Sequence, residues 1–563
     1  MSIENATITR SMRRVLAISA GVLFPLLMTS AQAQSWVATA TRGLTLKNST
    51  IAGPLDANAP VHIAVALKLH NQDQIKSTLQ HMSTPGDALY GTALTPAQFM
   101  ATYGPTQAEA SAVTNYLASA GFQNIQTEDN RLFVTADGTA QQAQMAFNTT
   151  LTEFVLNGQK VYANTIAAQV PASLGPIVAS VLGLNNIQAM RTMLVPRTAS
   201  TPSLPDVNRS VYGPADFQKA YDAAGSATGG LTSIAVFAEG NLNGVISDLR
   251  KFEALYKLPQ VGLTVIKTGI ASPDTSGADE WDLDSQTSTG IAGTVQHLYF
   301  YDATSLTDSD LAIAFNRFAA QRYALAGNAS FGECEVFAWA DGSMLADDEV
   351  FAEAALQGQT VFSSTGDVGA SCPVEGTNGV PDSGPVMTSY PASSPYVVAV
   401  GGTDLLTNTD GTWNSEVAWN AGGGGISALE YSLWWQSGIV PSNAAGDKGL
   451  PDVAMCADPN VCGASIIVGG SQLIVGGTSL SSPLSMGAWA RIESSHRNKL
   501  GFAAPLLYQL ARGVNTSSPA APSVIGFHDI IVGTNGGYVA TPGWDYTTGL
   551  GSFDIEAINK LLK

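Results

Sequence analysis

From residue 199 onward the sequence predicts an α/β fold, a largely parallel sheet with flanking helices, and before it an α+β domain at 34–198. Two observations carry this. Beyond 199, short apolar strand-like runs alternate with longer helical stretches, a pattern that feeds parallel strands through crossover helices. The boundary itself is Pro196-Arg197-Thr198-Ala199-Ser200-Thr201-Pro202-Ser203-Leu204-Pro205. Its spaced prolines and small polar residues make an extended linker open to proteolysis.

In the first domain a strand at 61–67 leads into a helix at 71–82, and Thr95 with Pro96 caps and opens another helix. Further strands are expected at 131–135 and 151–156. In the second, strands are expected at 233–238, 264–267, 295–301, 360–364 and 396–400. Helices are expected at 245–256, 278–292, 309–326, 347–357 and 481–495.

Residues 1–33 stand apart. Arg10, Arg13 and Arg14 precede an apolar run at 15–28 that ends in Ala31-Gln32-Ala33, the pattern of a secretory signal cleaved after Ala33. The run is short and broken by Pro25, which argues against an anchor, and no other stretch would span a bilayer. The expectation is a secreted protein, periplasmic or extracellular, free of the membrane once the signal is removed.

Export makes the four cysteines disulfide candidates. Cys456 and Cys462 enclose a short loop and are expected to pair, leaving Cys334 with Cys372. Their spacings fit no zinc pattern.

Charge is uneven. From 199 onward there are 36 acidic and 15 basic residues, against 8 of each at 34–198. Excess carboxylate excludes nucleic acid as a partner. With so few lysines and arginines, acidification brings little self-repulsion, which fits a protein working in acid.

Gly476-Gly477-Thr478-Ser479-Leu480-Ser481-Ser482-Pro483 sets a serine between a strand end and a helix, where helix amides face whatever the hydroxyl attacks. A nucleophilic serine needs a base. Upstream, Glu280-Trp281-Asp282-Leu283-Asp284 puts Glu280 and Asp284 on one helix face. Two carboxyls held close cannot both ionise easily, so Glu280 would take the proton of Ser479 while Asp284 orients and buffers it. Asp282 points elsewhere and is read as solvated. His297 is expected in the core, His496 at a helix end and His528 beside an acidic loop; none has the setting of a base. Asp367, in Thr365-Gly366-Asp367-Val368-Gly369 after a strand, is either a turn former or, protonated, a donor to an oxyanion.

These segments resemble the sedolisins, the serine-carboxyl peptidases, and especially their bacterial pseudomonalisin-type members. The matching motifs are Gly477-Thr478-Ser479 with Pro483, 280–286, and Ser364-Thr365-Gly366-Asp367. To these are added 390–395, 400–403 and Gly543-Trp544-Asp545. The resemblance implies a subtilisin-like fold and an activation propeptide at 34–198. It implies Ser479 as nucleophile, Glu280 as general base and acid, Asp284 as its partner and Asp367 in the oxyanion hole. Glu239 matches a supporting acid of some members, Trp281 is expected to line the substrate cleft or else to pack in the core, and Phe331 stands where some members carry tryptophan. One calcium ion is implied, held by Asp529 and Asp545 side chains and the carbonyls of Ile530, Thr541 and Gly543. Thr541 replaces a usual glycine. The competing acidic stretch at 341–349 is read as a turn and helix start.

The expected protein is a monomeric zymogen of an acid-acting endopeptidase that hydrolyses proteins and peptides. Its propeptide would act as intramolecular inhibitor, loosening in acid as carboxylates protonate. A histidine-dependent subtilisin-type peptidase and a non-catalytic pseudopeptidase that only binds are the alternatives.

Overall fold

The computed structural model describes residues 34–44, 49–156, 158–187, 190–198, 210–372, 385–441, 446–512 and 525–562. The signal expected at 1–33 and the linker expected beyond Thr198 lie outside them.

The central sheet runs Leu263–Lys267, Leu298–Ala303, Ile234–Glu239, Ala326–Ala329, Thr360–Ser364, Val397–Thr407, Trp413–Ala418, with Val453–Cys456 also paired to Val397–Thr407. All pairings are parallel except that of Trp413–Ala418. Every residue of Ile234–Glu239 is buried, as helices covering both faces require. From this strand the chain builds the sheet to one side, then crosses to Ala326–Ala329 on the other. The carboxyl ends of these two strands therefore flank a switch point, where α/β sheets place their ligands.

Two helices meet over that point. Ala278–Ala292 occurs where the sequence predicts it, and all its residues from Glu280 on are buried, the mark of a helix enclosed on every side. Its hydroxyls turn inward on their own backbone, Ser288 Oγ donating to Asp284 O at 2.6 Å and Thr289 Oγ1 to Ser285 O at 2.6 Å. Thr478–Ser495 packs against it through Gly487, where a Cβ would stand 2.3 Å from Ser288 O. Only glycine allows this approach.

The first domain is an antiparallel sheet, Gln123–Thr127, Phe133–Thr139, Pro60–Leu67, Val178–Leu182. Ile63, Val65 and Leu67 face its own helices Gln107–Ser119 and Ala140–Ala146, packing with Val113, Leu117 and Ala143. Ala64, Ala66 and Phe133 join the core of the second domain with Phe315, Phe318 and Phe351. Polar contacts border this seat. Arg317 Nε and Nη2 donate to Glu128 at 3.1 and 3.0 Å, Asn130 Nδ2 donates to Glu353 Oε2 at 2.7 Å, and Gln72 Nε2 to Glu349 Oε1 at 2.6 Å.

Several expectations are corrected. The helix expected at 309–326 is Asp308–Gln321; Arg322 closes it in the left-handed conformation (φ 50°), and Ala326–Ala329 is a strand. The apolar run around 324–326 reads alike in either state. The stretch at 341–349 is a turn at Gly342 and a helix start as expected, but the helix, Ser343–Leu356, begins before the predicted 347 and buries Asp347 and Glu349. Asp282 is not solvated: it is 2% exposed, accepts from Gln286 Nε2 at 3.1 Å, and burial with the nearby Asp248 charge pushes its pKa up to about 8. His297 is half-buried beside Thr264 Oγ1 at 2.9 Å rather than in the core.

Candidate active site

The serine helix begins at Thr478, earlier than the predicted 481, so Ser479 lies in its first turn, fully buried. Gly477 precedes it at φ 98°, a conformation that favours glycine. Pro483 has no N–H to bond the carbonyl four residues back, and the Ser479 carbonyl faces Ser330 Oγ at 3.4 Å.

Glu280 and Asp284 are both fully buried beside this turn. Burial, then the charge of Asp284, raises Glu280 well above the usual carboxyl range; the neighbouring Ser479 hydroxyl pulls the other way. The contact is not a completed hydrogen bond, because both Glu280 oxygens lack a donor and Ser479 Oγ donates to Ser330 O at 3.3 Å. Burial likewise raises Asp284, opposed by hydrogen bonds from Ser330 and Asn328. Ser330 Oγ donates to Asp284 Oδ1 at 2.6 Å, while Asp284 Oδ2 has no partner.

Asp367 follows Thr360–Ser364. Its Oδ1 accepts from Thr478 N at 2.7 Å and Thr478 Oγ1 at 2.8 Å, and Oδ2 is free of partners. Burial pushes its pKa up to about 7 against those two bonds. With Oδ1 saturated, the proton of the neutral acid sits on Oδ2.

Glu239 ends its strand 5% exposed, with a pKa raised to about 7 by burial and the charges of Asp274 and Asp302. Its carbonyl accepts from Trp281 Nε1 at 3.0 Å. With the propeptide in place Trp281 is 1% exposed and stands edge-on to Phe331, centroids 6.2 Å apart. Ser330 is a site residue that the sequence does not single out. It binds Asp284, the Ser479 hydroxyl and the Ser479 carbonyl, but the strand that leads to it, Ala326–Ala329, is indistinguishable in sequence from the end of the preceding helix.

The histidines of this domain stand away from the serine. His496 caps the far end of its helix, about 25 Å along the axis at 1.5 Å per residue. His297 precedes strand Leu298–Ala303, at the opposite end of the sheet, and His528 stacks on Trp413.

The expected disulfides are formed, Cys334–Cys372 and Cys456–Cys462, with Cα atoms 5.6 and 6.1 Å apart. The first ties the strand beyond Ser330 to the loop beyond Asp367. At the carboxyl end of the chain, Asp529 accepts from Gly543 N at 3.0 Å, and Asp545 from Thr541 N at 2.9 Å and Thr547 N at 2.8 Å. Burial raises the pKa of Asp529, opposed by the bond from Gly543 N, and the Asp545 charge adds to the rise. The two carboxyls, held by amides of one loop, are hard oxygen donors of the kind calcium takes. Among the described residues no cluster of three or more His, Cys, Asp or Glu side chains is suited to a metal.

Residues 47–187 match the Pro-kumamolisin activation domain. Sedolisin of Pseudomonas sp. (strain 101) is 39% identical over 532 residues, covering 90% of this chain and 88% of that one. The chain belongs to the sedolisin family. It is a serine-type peptidase with a propeptide activation domain. Xanthomonalisin of Xanthomonas sp. (strain T-22) is 38% identical over 560 residues, covering 90% of this chain and 66% of that one. The solved Pseudomonas sedolisin, a serine-carboxyl proteinase complexed with two molecules of pseudo-iodotyrostatin, is 38% identical. It covers 62% of this chain and 98% of its own, with a TM-score of 0.57.

Proposed function

We propose that this sedolisin-family protein is a secreted, acid-acting endopeptidase made as a zymogen, with Ser479 as nucleophile. One observation carries the reading: Ser479 opens a buried helix against the buried Glu280–Asp284 pair, with no histidine beside it among the described residues.

Glu280 takes the Ser479 proton as the hydroxyl attacks a peptide carbonyl, and returns it to the leaving nitrogen. Burial and mutual repulsion leave the Glu280–Asp284 pair one proton to share in acid. Ser330, bonded to Asp284 Oδ1, steadies the charge on that side. Asp367, neutral in acid, donates from Oδ2 to the oxygen that becomes the oxyanion. Glu239 supports the site through its carbonyl, which fixes Trp281 and so the Glu280 helix. Above about pH 7 Asp367 loses its proton, and a carboxylate there repels the charge it has to stabilise.

Acid acts on the propeptide in two opposite ways. His62–Asp137 at 2.6 Å, His70–Glu109 at 2.9 Å and His81–Asp87 at 2.6 Å are all within it. Asp137, Glu109 and Asp87 are held below the usual carboxyl range, so their stabilisation is present above that range and lost as pH falls through it. The seat behaves differently from the expectation of general loosening. Burial pushes Glu349 and Glu353 up to about 8, so they are neutral where they touch the propeptide, and their contribution grows as pH falls. Acid therefore loosens the propeptide's own fold before its seat.

Asp529 and Asp545, with the carbonyls of Ile530, Thr541 and Gly543, would hold one calcium ion, which supplies charge neutralisation and ties two loops. Calcium should raise the Tm of the protein by several degrees over chelator, an effect set by mass action. Asp545→Asn should abolish the difference; an unchanged calcium shift in that variant contradicts the site.

The function is tested by incubating the enzyme, after propeptide release, with denatured protein near about pH 4. Turnover is expected. Its absence throughout the acidic range would leave the non-catalytic binding protein.

A further inference from the structure

The end of the propeptide lies across the site as an extended strand gripped from both sides. Arg191 and Thr192 pair antiparallel with Gly332 and Phe331, and Met193 N donates to Ser330 O at 3.2 Å. Two residues later the partner changes. Val195 and Pro196 pair antiparallel with Gly476 and Val475, and Arg197 N donates to Ile474 O at 3.0 Å. The hand-over from the strand after Ser330 to the strand before Ser479 falls at the Met193–Leu194 bond.

Two further observations put that bond over the catalytic groups. Met193 N and Ser479 Oγ donate to the same oxygen, Ser330 O. Above Gly477, a Cβ would stand 2.1 Å from Met193 O and 2.6 Å from Asp367 Oδ2. The Met193 carbonyl oxygen thus lies beside the one atom of Asp367 that carries a proton and has no other partner. The side chain is held as well. Ser364 Oγ donates to Met193 Sδ at 3.2 Å, Thr478 Oγ1 is 3.9 Å from it, and a Cβ on Gly332 would stand 2.7 Å from Met193 Cε. The recess is open only because residue 332 has no side chain.

We infer that Met193–Leu194 is the first bond this enzyme cuts in its own chain, and that the recess between Gly332 and Ser364 selects long apolar side chains in substrates. This rests on the reading of Ser479 as nucleophile. Ser479 Oγ bonds to the Met193 carbonyl carbon while its proton passes to Glu280. The carbon–nitrogen bond then breaks, and Leu194 nitrogen takes that proton and leaves as an amine. Water, losing a proton to Glu280, hydrolyses the Met193 ester, and the returned proton restores Ser479. Gly332 admits the far end of the side chain, Met193 Cε, so a long apolar chain reaches the recess, and a carboxylate there would lose its hydration. Methionine fits because its chain is unbranched and adaptable. The same two-sided pairing makes the strand an inhibitor until the bond is cut.

The test takes full-length precursor, brings it to about pH 4 and samples early, before trimming, by intact mass and N-terminal sequencing. The first fragments should end at Met193 and begin at Leu194. Met193→Asp should slow the first cut by about 10-fold or more, and Met193→Leu, which keeps shape and folding, should restore it. A first fragment beginning elsewhere, or Met193→Asp cut at the parent rate, overturns the inference. Digestion of added denatured protein while Met193–Leu194 stays whole overturns it alone; failure of both overturns the peptidase reading as well.

Discussion

Ser479→Ala precursor kept in acid remains full length, while the parent chain converts to shorter products. Removing a nucleophile of this kind costs on the order of 10⁴-fold or more in rate, far beyond any effect on folding at a position where a hydroxyl becomes a hydrogen. Glu280→Gln should lose nearly as much, since an amide has no lone pair basic enough to take the proton. The readout is intact mass over time at fixed pH, with tryptophan fluorescence to establish that both variants fold. Conversion of Ser479→Ala at the parent rate would mean that another group, or another protein, makes the cut.

The same inactive precursor should be more stable in acid than at neutral pH. Burial pushes Glu349, Glu353 and Asp282 up to about 8, and Asp367 and Glu493 to about 7. Each binds its proton more tightly folded than unfolded. The unfolded chain therefore ionises first as pH rises from about 4, and stability falls until the folded groups ionise too. Every tenfold gain in proton affinity on folding is worth about 1.4 kcal/mol, so several such groups together have a large effect. Below about pH 4 the histidine-paired carboxyls of the propeptide act in the other direction. Stability should therefore peak near pH 4–5, with Tm about 10 °C or more higher than at pH 8. Thermal melts of Ser479→Ala across this range check it, and a Tm that is flat or rises toward pH 8 contradicts the burial of these acids.

This explains the composition. The acidic excess of the second domain is not only a surface property: many of its carboxyls are inside, at positions where only a proton makes them tolerable. The sequence shows the excess but not its burial. Asp282 reads as solvated because a Glu-x-Asp-x-Asp stripe looks the same on a wet helix as on one enclosed by Thr478–Ser495 and its neighbours.

What is legible in the sequence follows how local the signal is. The Glu280 helix, the serine junction and the turn at Asp367 each carry their own residues, and only the start of the serine helix, at Thr478 and not 481, departs from the sequence reading. Ser330 is not legible, since serine has no diagnostic pattern and its strand merges with the helix before it. The strand at Arg191–Arg197 reads only as the approach to a linker, because its role depends on pairing with segments about 140 and 280 residues further along the chain. Trp281 reads in the sequence as either a cleft or a packing residue; its indole N–H is satisfied by Glu239 O and its ring stands against Phe331.

The central claim is that the Ser479 proton goes to a carboxylate and that a neutral Asp367 receives the oxyanion. The most direct measurement is the pH dependence of kcat/KM for the released enzyme on a quenched peptide containing a Met–Leu bond. A maximum below about pH 6, with loss of activity through pH 7 as Asp367 ionises, is the result this account predicts. A rate that climbs with pH to a plateau near about pH 8, as a histidine base requires, would contradict it.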